Sequence, residues 1–284
     1  MRHLSCSCAP ENRILNEEGA VRAGGKKYRI SSVILLCWVL WLPTERVCAK
    51  ELSLPPHLIQ TVSEQDIYEG MLALGMLTCP VLEESDPATA YENVKNSVVC
   101  LDMGTAYGSG IIFRLTADAV IIATNRHVLE YWDEALGVVR FPQGYFVNAT
   151  MLGSASESDV GFLRVEGSEL GADALMNLRS VCMDEAPFDE EAAQIEGFCV
   201  GADRGEREPV FHEALLEREE RYIDLFQGDM LYGHGFAREG MSGGGIFDGR
   251  GYLIGILAGG TYQNEIAGVS ADRVEAAYRE VMGE

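Results

Sequence analysis

The chain reads as an all-β protein with helical segments on either side of its strands. Two observations carry that reading. From Ser97 onward, short β-branched or aromatic runs are separated by glycine, aspartate and threonine turns. No helical pattern alternates with these runs, as a parallel sheet would require, so a sandwich or barrels is expected. No period of 20–50 residues recurs either, which excludes a repeat array.

At the amino terminus, Lys26, Lys27 and Arg29 precede the apolar run Ile30–Leu42, "ISSVILLCWVLWL". Such a run matches the core of a signal peptide and is short for a membrane span of roughly 20 residues. "PTERVCA" follows, with Val47 and Ala49 spaced as small residues at a cleavage site, so residues 1–49 are expected to be a leader cut after Ala49. The alternative is a signal anchor that retains residues 30–42 in the membrane. Export predicts a secreted or cell-surface protein.

Residues 50–96 read as a helical lead-in. Ser63 can cap a helix carrying Ile67, Met71, Leu72 and Leu74 on one side. Asp86-Pro87 is a cap followed by proline at the first helical position, with "PVLEESDP" a solvated linker before it. The domain at 97–284 then opens with "SVVCLDM", "SGIIFRL", "AVIIATN", "YFVNATML" and "DVGFLRV". "AQIEGFCVGA" and "GYLIGILAG" extend the strand series, whereas "HEALLEREERYIDLF" fits a helix or a strand pair equally well. Ser270 can cap a last helix with Val274, Ala277, Tyr278 and Val281 at helical spacing.

Composition narrows the function. The 284 residues are 47% hydrophobic and 23% charged, as in an ordinary globular protein. A net charge of -22 excludes a nucleic-acid partner, which needs a basic face, and favours a soluble monomer. Removal of residues 1–49 would take four of the eight cysteines and leave Cys79, Cys100, Cys182 and Cys199. Four cysteines allow three pairings in an oxidising compartment, and buried thiols are the alternative. Cys182 and Cys199 flank an acidic stretch and form the expected pair if a bridge exists. None has metal-ligand spacing with a histidine, so no metal is expected.

Three stretches point to chemistry when taken together. "IIATNRHVLEYW" places His127 after an apolar strand, "SESDVGFLRVE" places Asp159 at the head of another, and "EGMSGGGIF" sets Ser242 among glycines. A serine hydroxyl is a poor nucleophile and needs an adjacent base. An imidazole is neutral yet basic near pH 7, and a carboxylate must hold its other nitrogen in the right tautomer. Glycines around Ser242 permit a turn whose Gly240 and Ser242 N–H groups can face a developing oxyanion.

"TNRHV", "SDVGFLRV" and "GMSGGG" resemble the three catalytic motifs of chymotrypsin-like (trypsin-fold) serine endopeptidases. They are similar to the bacterial branch that includes the high-temperature-requirement and glutamyl endopeptidases. The resemblance covers about Ser97 to Val281. It implies two perpendicular six-stranded antiparallel β-barrels, a site in the cleft between them and a carboxyl-terminal helix. It further implies His127 as general base, Asp159 as its orienting residue, Ser242 as nucleophile, and Gly240 and Ser242 N–H groups as the oxyanion hole. Protein or peptide substrates follow, and no cofactor. "GILAGG" resembles the strand that pairs with substrate, which puts Ala258, Gly259 and Gly260 along the pocket wall, with Phe236 at the start of its floor.

Departures from the pattern refine this expectation. Met241 stands where animal members have an aspartate before the nucleophile, so activation by a new amino terminus is not expected. Leu257 replaces the histidine of glutamyl-specific members, and Phe236 offers no carboxylate for Lys or Arg, which leaves small or medium apolar side chains. Arg126 beside the histidine has no evident partner. Asp133 is the nearest rival to Asp159 but lacks the "DVGFL" context. His57 reads as a linker residue, His212 lies outside the motifs, His234 could line the pocket, and Asn148 in "NAT" matches a glycosylation acceptor. The competing reading is a catalytically inactive protease homologue acting as an extracellular binding module.

Overall fold

The computed structural model describes residues 62–183, 194–203 and 208–284. The expected leader 1–49 with its apolar run 30–42, and His57, lie outside the described residues. Among the described residues no helix is long and apolar enough to cross a membrane.

Two helices lead in. In α1, Glu64–Ala73, Ser63 and Asp66 form a reciprocal capping box, and in α2, Pro87–Val94, the Asp86 side chain accepts from Thr89 N–H. The buried residue of α1 is Tyr68, whose hydroxyl donates to Thr116 O at 2.5 Å. Leu74, expected on the apolar face, is instead exposed. The stretch between the helices is tied down, with Leu82 N–H donating to Arg250 O and Asp86 N–H to Gly249 O.

The first sheet comprises β1 (Val98–Asp102), β2 (Tyr107–Leu115), β3 (Ala119–Thr124), β4 (Val138–Arg140), β5 (Phe146–Asn148), β6 (Thr150–Ser154) and β7 (Gly161–Glu166). Its order, β5-β4-β1-β2-β3-β7-β6, leaves the two outer strands unpaired with each other, so it is a half-barrel. "YFVNATML" thus splits into two edge strands at Ala149, which is buried between them.

The second sheet holds β8 (Gln194–Gly201), β9 (Val210–Glu217), β10 (Arg221–Ile223), β11 (Gly228–Gly235), β12 (Gly245–Asp248), β13 (Leu253–Gly260) and β14 (Glu265–Ser270). Pairing of β11 with β9 closes six of these into a barrel, with β10 appended to β11. The charged "HEALLEREERYIDLF" therefore lies in two strands, β9 and β10, that each pair with β11 rather than with each other. Its alternation puts Ala214 and Leu216 inside and leaves Glu213 and Leu215 on the outer face.

Three apolar layers hold the molecule. One fills the half-barrel around Leu101, Ile112, Ile122 and Leu163. Another fills the closed barrel around Leu216, Ile246 and Leu257. The third lies between the sheets and includes Phe113, Phe162, Phe198 and Phe247. Three single-turn helices, α3 (Arg126–Leu129), α4 (Gly167–Leu170) and α5 (Ala172–Leu175), precede the final helix α6, Ala271–Met282. It buries Val274, Ala277 and Tyr278, as its spacing predicts. The helix follows the closed barrel in sequence, yet Tyr278 packs on Phe113 and Phe162 of the half-barrel.

The expected Cys182–Cys199 bridge is not formed. Cys199 carries a free, fully buried thiol inside the closed barrel on β8, whereas Cys182 lies at an isolated bridge to Tyr252. Cys79 and Cys100 are likewise free and buried.

Candidate active site

Strand register brings the first two residues together. β3 and β7 are antiparallel with Thr124 opposite Gly161, so the end of one strand lies beside the start of the other. His127 sits on the single-turn helix α3, Arg126–Leu129, just past β3, and Asp159 just before β7. Asp159 Oδ2 lies 2.7 Å from His127 Nδ1, and Oδ1 accepts the His127 backbone N–H at 3.0 Å. The Asn125 side-chain amide donates to Asp159 O at 3.0 Å and fixes the carboxylate's own backbone. The carboxylate is 9% exposed while the imidazole is 40% exposed, so one partner is fixed and the other open to the cleft. Asp133, by contrast, accepts from Ala135 N–H in a local turn. Arg126 finds its acceptors in the carbonyls of Ala155 and Ser156.

Ser242 stands on the turn before β12. Gly240 has φ +94° and Gly243 φ +86°, values open to glycine. At Gly243 a Cβ would also meet Ser109 O at 2.1 Å and Thr124 Oγ1 at 2.2 Å. Inside the turn, Met241 N–H donates to Arg238 O, Gly244 N–H to Met241 O, and Gly243 N–H to Leu257 O. The N–H groups of Gly240 and Ser242 have no acceptor among the described residues. Met241, at the position before the serine, is fully buried in the closed barrel, and its sulfur accepts Arg238 N–H at 3.3 Å.

The Ser242 hydroxyl donates to Ala258 O at 3.2 Å, and no hydrogen bond joins it to His127 among the described residues. Ala258 is the extra residue of a β-bulge, because Leu257 opposes Gly268 while Gly259 opposes Ala267. A bulge of this kind re-aims the chain beside a site, and here it presents the Ala258 carbonyl to Ser242.

A cleft of about 920 Å³ runs from His127 and Asp159 past Ala258, Gly259 and Gly260. The turn after β10 overhangs it with Leu225 and Phe226, of which Leu225 is 84% exposed. Arg126, Glu130, Arg221, Asp224 and Glu265 place charge of both signs on its rim. Hydrogen bonds from Tyr232 and Thr261 hold the Glu265 carboxyl below its ordinary pKa. Phe236 lies outside this cleft, edge-on to His212 with centroids 4.9 Å apart and under the Arg238 guanidinium. Arg238 pairs with Asp203 at 2.6 Å. His234 is exposed and lies outside the cleft.

Two residues of this region carry no sequence signal of their own. Asn125 is one, and Ser109, whose bonds reach the Ser242 turn from β2, is the other.

Residues 108–256 match the family described as the trypsin-like peptidase domain, a span that holds His127, Asp159 and Ser242. The chain belongs to this family. Similar solved structures carry the same fold. An inactive form of Rv3671c from M. tuberculosis H37Rv, with a serine-to-alanine substitution, has TM-score 0.54 and 16% identity over 72% of this chain and 98% of that one. The HtrA-type protease AlgW, as a serine-to-alanine variant with a tripeptide, has TM-score 0.58 and 19% identity over 69% and 64%. A decapeptide complex of that variant gives 0.57 and 17% over 70% and 67%. No curated protein sequence matches this trypsin-like peptidase.

Proposed function

We propose that the protein is an exported serine endopeptidase in which Ser242 is the nucleophile, His127 the general base and Asp159 its orienting group. The observation that carries this is the doubly held Asp159–His127 pair, together with two N–H groups of the Ser242 turn that have no acceptor among the described residues. Asp159 on Nδ1 leaves Nε2 as the basic nitrogen, the tautomer that acyl transfer needs. Ser242 Oγ leaves Ala258 O, turns to Nε2 and attacks a peptide carbonyl as its proton passes to His127. The carbonyl oxygen takes the displaced electron pair and receives hydrogen bonds from Gly240 and Ser242 N–H, each worth roughly a hundred- to a thousandfold in rate. Collapse breaks the C–N bond as His127 protonates the leaving amine, and water repeats the sequence on the acyl-enzyme.

The substrate is an extended peptide laid along Ala258–Gly260, where β13 passes beyond its pairing with β12. The peptides bound to the AlgW variant support that class. Export with cleavage after Ala49 is the proposed route to a monomer outside the cell, retention of residues 30–42 being the alternative. A mature amino terminus at Lys50 separates the two.

One observation favours the second reading, an inactive homologue that binds peptides. Ser242 donates to Ala258 O rather than to His127. A fluorophosphonate probe with intact-mass detection decides. One adduct on the wild type, absent from Ser242→Ala and His127→Ala, supports the peptidase; a folded wild type without adduct leaves the binding module.

A further inference from the structure

We propose that Ser109 of β2 is a positioning residue that fixes the oxyanion turn from the opposite barrel. The inference rests on the reading of Gly240 and Ser242 N–H groups as the oxyanion donors. Ser109 is fully buried and belongs to the half-barrel, whereas its partners belong to the closed barrel. Its Oγ donates to Gly240 O at 2.7 Å and accepts Ala202 N–H at 2.8 Å. Its N–H donates to Ser242 O at 2.8 Å. Its own carbonyl accepts Thr124 Oγ1 at 2.7 Å, which ties the clamp to β3, the strand that leads to His127.

The order of peptide planes explains what this does. The Gly240 donor lies in the plane joining residues 239 and 240, and the Ser242 donor in the plane joining 241 and 242. The two carbonyls that Ser109 holds belong to the planes in between and after, 240–241 and 242–243. Because each peptide is planar, holding its oxygen fixes the plane's orientation. The Ser242 donor plane is thus held between two clamped planes. Gly240 has no Cβ to resist rotation, so without the clamp a flip of its donor plane, 239–240, costs little, whereas the 241–242 plane is also held through Met241 O by Gly244 N–H. Flipping turns a donor N–H away and a carbonyl toward the oxyanion, which replaces attraction with repulsion. Ser109 therefore acts on the transition state through the turn, not by touching substrate.

The test uses the full-length chain as wild type, Ser109→Ala and Ser109→Cys, with thermal melting to establish folding. Ser109→Ala strands Gly240 O and Ala202 N–H without a partner, a loss of stability that the melting point reads. Ser109→Cys keeps the shape and a weak donor, so it remains folded if Ser109→Ala does not. Saturation kinetics with a fluorophosphonate give a maximal inactivation rate and a half-saturating concentration. Hydrogen exchange by mass spectrometry follows peptides that span residues 238–245.

The expected result is a maximal rate lower by about ten- to a hundredfold in Ser109→Ala, and partway in Ser109→Cys, at unchanged half-saturation. Exchange across 238–245 rises in both. A folded variant with wild-type rate and wild-type exchange overturns the clamp, even if its melting point has dropped. A wild type that takes no probe, with exchange still raised in the variants, leaves the clamp standing and removes the acyl-transfer reading instead.

Discussion

Asp159 takes two hydrogen bonds from one residue, receiving the backbone N–H of His127 on Oδ1 and facing Nδ1 with Oδ2. The carboxylate therefore sets both where the imidazole sits and which nitrogen keeps its proton. Asp159→Asn retains the shape but presents an amide to one of those contacts. The maximal rate is expected to fall about a thousand- to ten-thousandfold, with the fold intact by circular dichroism. A loss below about tenfold would assign the orienting role elsewhere.

Gly243 is required by geometry. With φ +86° and a would-be Cβ 2.1 Å from Ser109 O, alanine there is both strained and in collision with backbone. Gly243→Ala is expected to lower stability by about 2–4 kcal/mol, read as a lower urea midpoint at unchanged slope. Because the collision is with the turn's own clamp, labelling of Ser242 should drop even where the variant still folds.

Burial keeps three thiols inert. It pushes Cys79 and Cys100 up to about 11 and Cys199 up to about 12, with nothing stronger to offset it. The thiolate is the reactive form. Iodoacetamide near pH 8 should leave these three unmodified in the folded protein and alkylate them once urea is added. A reductant should not shift the melting point through a Cys182–Cys199 bond, since Cys199 is a thiol already.

His212 makes stability depend on pH. Burial and then the nearby Arg238 hold its imidazole below the ordinary value of 6.5, against a smaller opposing pull from Asp203. Below 6.5 the unfolded chain binds a proton that the folded protein resists. Stability from this group is thus complete above 6.5 and is lost as pH falls through the lower folded value. The urea midpoint should decline as pH falls below 6.5, and less steeply in His212→Gln. Equal slopes would place the effect on other groups.

How much the sequence disclosed depended on local density of signal. β1, β2, β3, β7, β8 and β13 are dense in β-branched or aromatic residues and were legible. β4 has only "VVR", and β11 reads "GDMLYGHG", whose Gly233 and Gly235 are there because β9 presses close. A Cβ at Gly233 would lie 2.5 Å from Leu215 O. His127, Asp159 and Ser242 stood out because each has a distinctive flank. Ser109 did not, since the two closed-barrel partners of its hydroxyl lie 93 and 131 residues away and a lone serine between glycines does not name them. The bridge expected between Cys182 and Cys199 failed because Cys199 faces a barrel interior that spacing along the chain cannot reveal.

Helix α6 has a bearing on when the first sheet is completed. It is synthesised after every strand of both sheets, yet it seals the first one: Tyr278 joins Phe113 and Phe162, Arg114 grips Glu275, and Glu280 accepts Ser156 N–H three residues from Asp159. The earliest-made sheet waits for the last-made helix, a long-range closure of the kind that slows folding. A growing chain would thus carry His127 and Asp159 in an unsealed layer until α6 is made.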